Sequence, residues 1–125
     1  TGGMKGKRKE MIRDELHEVL KKAFGLDQIH SEYGMTELLS QAYALGDNRF
    51  YPPQWMKVVA RDMYDPFALL PDGKSGGINI IDLANIYSCS FIATSDLGKV
   101  YKDGSFEVNG RFDQADVRGC NLMVT

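Results

Sequence analysis

Between residues 7 and 24 the apolar side chains Ile12, Leu16, Val19, Leu20 and Ala23 return at helical spacing, with Lys, Arg, Asp and Glu between them. This spacing predicts an amphipathic helix. Gly25 gives it a stop, because glycine accepts the left-handed backbone that ends many helices. Residues 26–32 read as a short strand that delivers Tyr33-Gly34-Met35-Thr36-Glu37 to its C-terminal end, where open α/β sheets place ligands. Beyond Glu37 the pattern turns β-like. Residues 56–60 and 77–83 read as an antiparallel pair joined by a turn-rich stretch that includes Tyr64-Asp65-Pro66 and Pro71-Asp72-Gly73. Residues 90–94, 99–101 and 105–109 read as further short strands, with Lys102-Asp103-Gly104 as a hairpin turn between the last two. The expected fold class is α+β: a helix and short strand followed by a mostly antiparallel β-sheet or barrel subdomain. Residues 1–125 form one region, with the helix and strand in 1–45 and the β-rich part in 46–125.

Composition narrows the partners. The chain has 125 residues, 43% hydrophobic and 26% charged, which is one domain's worth of ordinary soluble protein. A net charge of -2 argues against a nucleic-acid surface, which needs a basic patch. The run Lys5-Gly6-Lys7-Arg8-Lys9 reads as a solvated helix start. Its glycines do not have P-loop spacing, since Thr1 stands where a glycine is needed and Arg8 follows Lys7. Cys89 and Cys120 lie far apart and in no metal-binding spacing, so a reducing cytoplasm is the expected setting. Cys89, in an apolar β-like stretch, reads as structural. His17 and His30 read as core or surface histidines. No apolar run spans a membrane and no signal peptide is visible. The chain opens at Thr1 without an initiator methionine and reads as a piece of a longer polypeptide.

Three short segments carry chemistry. In Tyr33-Gly34-Met35-Thr36-Glu37 an aromatic and a glycine can frame a flat base. The Thr36 hydroxyl can donate to a phosphate oxygen, and Glu37 is a hard ligand suited to Mg²⁺. The same residues also fit a turn leading into a helix, with Thr36 capping residues 37–44. Asp96, within Thr94-Ser95-Asp96, can accept from both hydroxyls of a ribose, or it can be a turn aspartate beside Leu97-Gly98. Arg111, after Gly110, can pair with phosphate or ribose oxygens, or simply end a strand.

In this order the three segments resemble the adenylate-forming ligase superfamily of acyl-CoA synthetases. Tyr33-Gly34-Met35-Thr36-Glu37 is similar to its aromatic-Gly-x-Thr-Glu motif. Ile92-Ala93-Thr94-Ser95-Asp96 resembles its Tyr-Arg-Thr-Gly-Asp motif, and Gly110-Arg111-Phe112-Asp113 its hinge motif. Within the superfamily, Val117-Arg118-Gly119-Cys120-Asn121-Leu122-Met123-Val124 and the Gly2-Gly3-Met4-Lys5-Gly6-Lys7-Arg8 opening are similar to LuxE-type acyl-protein synthetases. Ser31 departs from the superfamily's usual Asn or Asp, and Val117-Arg118 are out of register with its Ile-Lys pair.

The resemblance implies the C-terminal part of an adenylation domain. It implies ATP-dependent activation of a long-chain fatty acid as an acyl-adenylate, with transfer to an enzyme cysteine. ATP or AMP and Mg²⁺ are then the cofactors. Tyr33 and Gly34 would frame adenine, Thr36 would meet the α-phosphate and Glu37 the magnesium. Asp96 would hold the ribose diol and Arg111 the ribose or phosphate. Cys120 would be the acyl acceptor, and an acyl reductase its protein partner. The alternatives are an acyl- or aryl-CoA ligase of the phenylacetate type and, from another class, a non-catalytic protein-binding module. An apolar face left by a missing neighbour would favour self-association.

Overall fold

A computed structural model describes residues 11–112. Helix α1 (Arg13–Phe24) is followed by strands β1 (Ser31–Tyr33), β2 (Ala42–Ala44), β3 (Met56–Arg61) and β4 (Ser75–Asp82). A 3-10 turn (Leu83–Asn85) then leads to β5 (Phe91–Val100) and β6 (Phe106–Arg111). Strands β1 and β2 form an antiparallel hairpin, and β3-β4-β5-β6 form an antiparallel sheet in sequence order. Residues 50 and 51 stitch the two sheets together. Phe50 exchanges two backbone hydrogen bonds with Phe106, and Tyr51 does the same with Tyr43.

The core follows from period-2 burial. Along β3, Met56, Val58 and Ala60 point inward. Along β4, Ile78 and Ile80 do the same, and the next inward position is Asp82. Phe50 and Phe106 are fully buried and stack at 5.5 Å, with the Tyr33 ring tilted against the first and edge-on to the second. Leu38, Ala42 and Ala44 complete the cluster from the hairpin side.

Several expectations need correction. Residues 90–94 and 99–101 are one long strand, β5, so Thr94-Ser95-Asp96 lies inside a strand. The glycine that resembles a turn signal, Gly98, serves a close approach instead: a Cβ there would sit 1.9 Å from the Glu107 carbonyl oxygen on β6. No helix follows Glu37. The Leu38 N–H donates to the Met35 carbonyl at 3.1 Å, closing a turn, and the chain returns as β2. The turn at Lys102-Asp103-Gly104 forms as expected, with Gly104 at φ 83° and its N–H donating to the Tyr101 carbonyl.

Helix α1 forms, and Gly25 ends it at φ 64°. Its apolar stripe, however, does not dock it. Ile12 is 70% exposed, Leu16 40% and Val19 49%, while His17 is the helix's buried residue. His17 Nε2 lies 2.9 Å from the Ser31 hydroxyl, and Asp14 accepts a hydrogen bond from the Asn48 amide. The helix is thus held through its polar side. His30 is exposed. Among the described residues no helix is long and apolar enough to cross a membrane.

Candidate functional site

The fold brings together two of the expected segments across a wide sequence gap. The Tyr33 hydroxyl donates to Asp96 Oδ2 at 2.6 Å, joining residues 63 apart. Burial pushes the Tyr33 phenol well above its ordinary range. The hydrogen bond to Asp96 and that carboxylate's charge act in the same direction, while Thr94 and the Arg111 charge offset them only in part. Tyr33 therefore stays a donor. Its ring is packed into the core against Phe50 and Phe106, while Gly34 beside it is exposed.

Two bulges deliver the polar groups. Between β4 and β5 the register passes from Gly77↔Leu97 to Asn79↔Ala93, so the single residue Ile78 faces Thr94, Ser95 and Asp96. The broken ladder leaves carbonyls to be satisfied. Thr94 Oγ1 donates to the Ile78 carbonyl at 2.9 Å and accepts from the Asp96 N–H at 3.1 Å. The Arg61 guanidinium, on β3, donates to the Ile78 carbonyl, the Asn79 side chain and the Thr94 carbonyl.

Between β5 and β6 the register passes from Gly98↔Val108 to Leu97↔Gly110, leaving Asn109 as an extra residue. Side chains alternate faces along a strand, so a regular ladder would put Arg111 on the face opposite Asp96. The extra residue makes Arg111 the direct partner of Asp96, on the same face. Arg111 is exposed, and its charge is felt at Tyr33.

The remainder of the first segment is tied to the opposite end of β4, at Asp82 and Asn85. Thr36 and Glu37 are exposed, and neither side chain is engaged by another described residue. The backbone from Glu37 to Ser40, in contrast, is held at several points. Asn85 Nδ2 donates to the Glu37 carbonyl at 2.8 Å and to the Cys89 carbonyl at 3.0 Å. Asp82 is fully buried and accepts from the N–H groups of Leu39, Ser40 and Ala84 and from the Ser40 hydroxyl. Burial pushes the Asp82 carboxyl up, but these four donors outweigh it and hold the group below the usual carboxylate range. Trp55 Nε1 donates to the same Ser40 oxygen at 2.9 Å.

Asp82 and Arg61 were not singled out from the sequence. The signal for Asp82 was a carboxylate at an inward position of the alternating run Ile78-Asn79-Ile80-Ile81-Asp82. Arg61 left none, since its role depends on a bulge. Cys89 proves to be exposed in the connection before β5, its thiol donating to the Phe91 carbonyl, and not a buried structural cysteine. Cys120 lies outside the described residues.

Asp96 has one carboxylate oxygen engaged by Tyr33 and another to offer, while Thr36 supplies an uncommitted hydroxyl. Among the described residues no group of three or more His, Cys, Asp or Glu side chains could hold a metal. Glu37 would thus be a lone protein carboxylate on a cation held otherwise by phosphate and water, which is how Mg²⁺ is commonly bound.

No protein-family model and no curated protein matches the chain by sequence. Solved structures match it by fold. A benzoate CoA ligase from Burkholderia xenovorans aligns with 79% of this chain at a TM-score of 0.54 and 19% identity, over 24% of its own length. Apo MatB from Rhodopseudomonas palustris aligns with 66% at 0.52 and 20% identity, over 20% of its length. The luciferase-like enzyme of the mealworm Zophobas morio aligns with 82% at 0.50 and 16% identity, over 30% of its length. The chain thus has the α+β fold of a portion of these proteins and spans between about a fifth and a third of their length.

Proposed function

We propose that this chain is part of an enzyme that activates a carboxylic acid as its acyl-adenylate and passes the acyl group to a thiol. The observation that carries the reading is the Tyr33–Asp96 hydrogen bond, with Arg111 brought to the same face by a bulge. It makes one polar cluster from segments that chain order alone had linked.

In this reading a substrate carboxylate oxygen attacks the α-phosphorus of ATP, and the bond to pyrophosphate breaks. A thiolate then attacks the acyl carbonyl, and AMP leaves with the electron pair of the mixed anhydride. The protein's share is positioning and charge neutralisation. Asp96 accepts from the ribose diol through the oxygen that Tyr33 leaves open. Gly34 presents backbone to the adenine edge, and Tyr33 acts through Asp96 as a positioning residue. Thr36 donates to an α-phosphate oxygen, and Arg111 faces the ribose or phosphate. Mg²⁺, on Glu37, would screen the phosphate charge.

The thiol is Cys120 in the acyl-protein synthetase form of the proposal, with a long-chain fatty acid as substrate and an acyl reductase as the onward partner. Coenzyme A is the thiol in the rival form, which the fold likeness to a benzoate CoA ligase favours. Intact mass of the complete polypeptide after incubation with ATP, Mg²⁺ and a long-chain fatty acid separates them. An acyl-sized gain that hydroxylamine removes and Cys120→Ser lacks is the result expected. Pyrophosphate release that needs added coenzyme A would move the assignment to the CoA ligase. No reaction in either arm would leave a binding module as the better account.

A further inference from the structure

Arg61 stands outside every expected motif, yet it fills the gap that the Thr94–Asp96 bulge opens in the sheet. One guanidinium nitrogen, Nη1, donates to the Ile78 carbonyl at 3.0 Å and to Asn79 Oδ1, and Nη2 donates to the Thr94 carbonyl at 2.8 Å. A planar fork can bridge β4 and β5 in this way, whereas an ammonium group cannot reproduce it. The chain also reserves the space. A Cβ on Gly77 would sit 2.7 Å from Arg61 Cζ, and the guanidinium lies 5.3 Å from the Phe112 ring, immediately after Arg111.

We infer that Arg61 is a positioning residue for the nucleotide's ribose: by clamping the bulge it fixes the direction of Asp96, and so sets how strongly the site distinguishes a ribose diol from a deoxyribose. The inference rests on the adenylate reading above and deepens it. Arg61 touches neither Asp96 nor substrate. It acts on the peptide units of Ile78 and Thr94, and Thr94 Oγ1 links both to the Asp96 N–H. Bulges commonly re-aim a side chain in this way.

The readout is a ratio that general loss of stability would not move. Affinities for AMP and for 3′-deoxy-AMP are measured on the complete polypeptide, well below its melting temperature. Asp96→Ala is expected to bring the ratio close to one. Arg61→Lys should lower it about tenfold, the equivalent of one lost hydrogen bond to a charged group. In the Asp96→Ala background Arg61→Lys should change the ratio no further. Gly77→Ala, which crowds the guanidinium without altering charge, should lower it in the same direction and decides the matter if Arg61→Lys fails to fold. An unchanged ratio in Arg61→Lys and Gly77→Ala, beside a lost ratio in Asp96→Ala, overturns the positioning role alone. A ratio near one in the unmodified protein, or one that Asp96→Ala leaves intact, overturns the adenylate reading and this inference with it.

Discussion

The β3–β6 sheet and helix α1 solve the burial problem in opposite ways. Along β3 and β4 the inward positions are buried, and the fully buried carboxylate among them, Asp82, is matched by four donors. In the helix the apolar stripe is exposed, and attachment falls to the His17–Ser31 and Asn48–Asp14 hydrogen bonds and to Arg13 lying 4.8 Å over the Phe50 ring. Polar contacts of this kind stabilise by about 1 kcal/mol each, whereas burying a single large apolar side chain contributes about 1.5–3 kcal/mol. The sheet is thus the stable unit that carries Asp96 and Arg111, and the helix is secured far more lightly.

The sharpest way to break this contrast is to truncate one apolar residue in each region. Phe106→Ala removes a fully buried ring from the stacked aromatic cluster and should cost about 3–5 kcal/mol. Val19→Ala, on the exposed stripe, should change stability by about 0.5 kcal/mol or less. Urea denaturation of both variants tests the pair. A comparable loss in each would mean that the helix stripe is covered in solution, and the contrast between the regions would fail.

Asp82 asks which region the Thr36-Glu37 segment belongs to. Its carboxylate ties Leu39 and Ser40 to the end of β4, so the segment should share the sheet's stability. Asp82→Asn sets an amide N–H against backbone donors and should cost about 2–3 kcal/mol. The acid limb gives the sign. The folded carboxyl titrates below its unfolded value of about 3.9, so its contribution is present above that pH and is lost as pH falls through the folded value. Stability of the unmodified chain should therefore drop below about pH 4, and that of Asp82→Asn should drop less. Parallel acid limbs for the two proteins would show that Asp82 does not secure the segment.

Much of this was legible in the chain. Helix α1 and its glycine stop and the 102–104 turn follow from local spacing, and the β3–β4 pair from two alternating runs joined by a turn-rich connection. What eluded local reading is non-local. Asp96 resembled a turn residue because Gly98 lies two positions on, yet that glycine answers to Glu107 on the next strand. Arg111 could be placed at a strand end but not on a face, since its face depends on a bulge at Asn109. The stripe of α1 was correctly amphipathic, but periodicity gives a face and not what covers it.

The smallest effect tests the bulge itself. Gly98 and Gly110 flank it on neighbouring strands, and nothing lies within 4 Å of where a Cβ on Gly110 would be. At Gly98 the obstruction is the Glu107 carbonyl, which is backbone and cannot rotate aside; Ile78 Cδ1 closes the other side at 3.1 Å. Gly98→Ala must therefore push β6 away from β5, at a cost of about 1–3 kcal/mol. Gly110→Ala should be neutral to within about 0.5 kcal/mol. The displacement at Gly98 falls one pair from the step that sets Arg111 opposite Asp96. Its effect on AMP affinity should therefore exceed what the stability loss alone explains, and Gly110→Ala should leave affinity unchanged. Equal affinities in both variants would mean that the Arg111–Asp96 register tolerates strand movement, and the bulge would lose its claim to set the site.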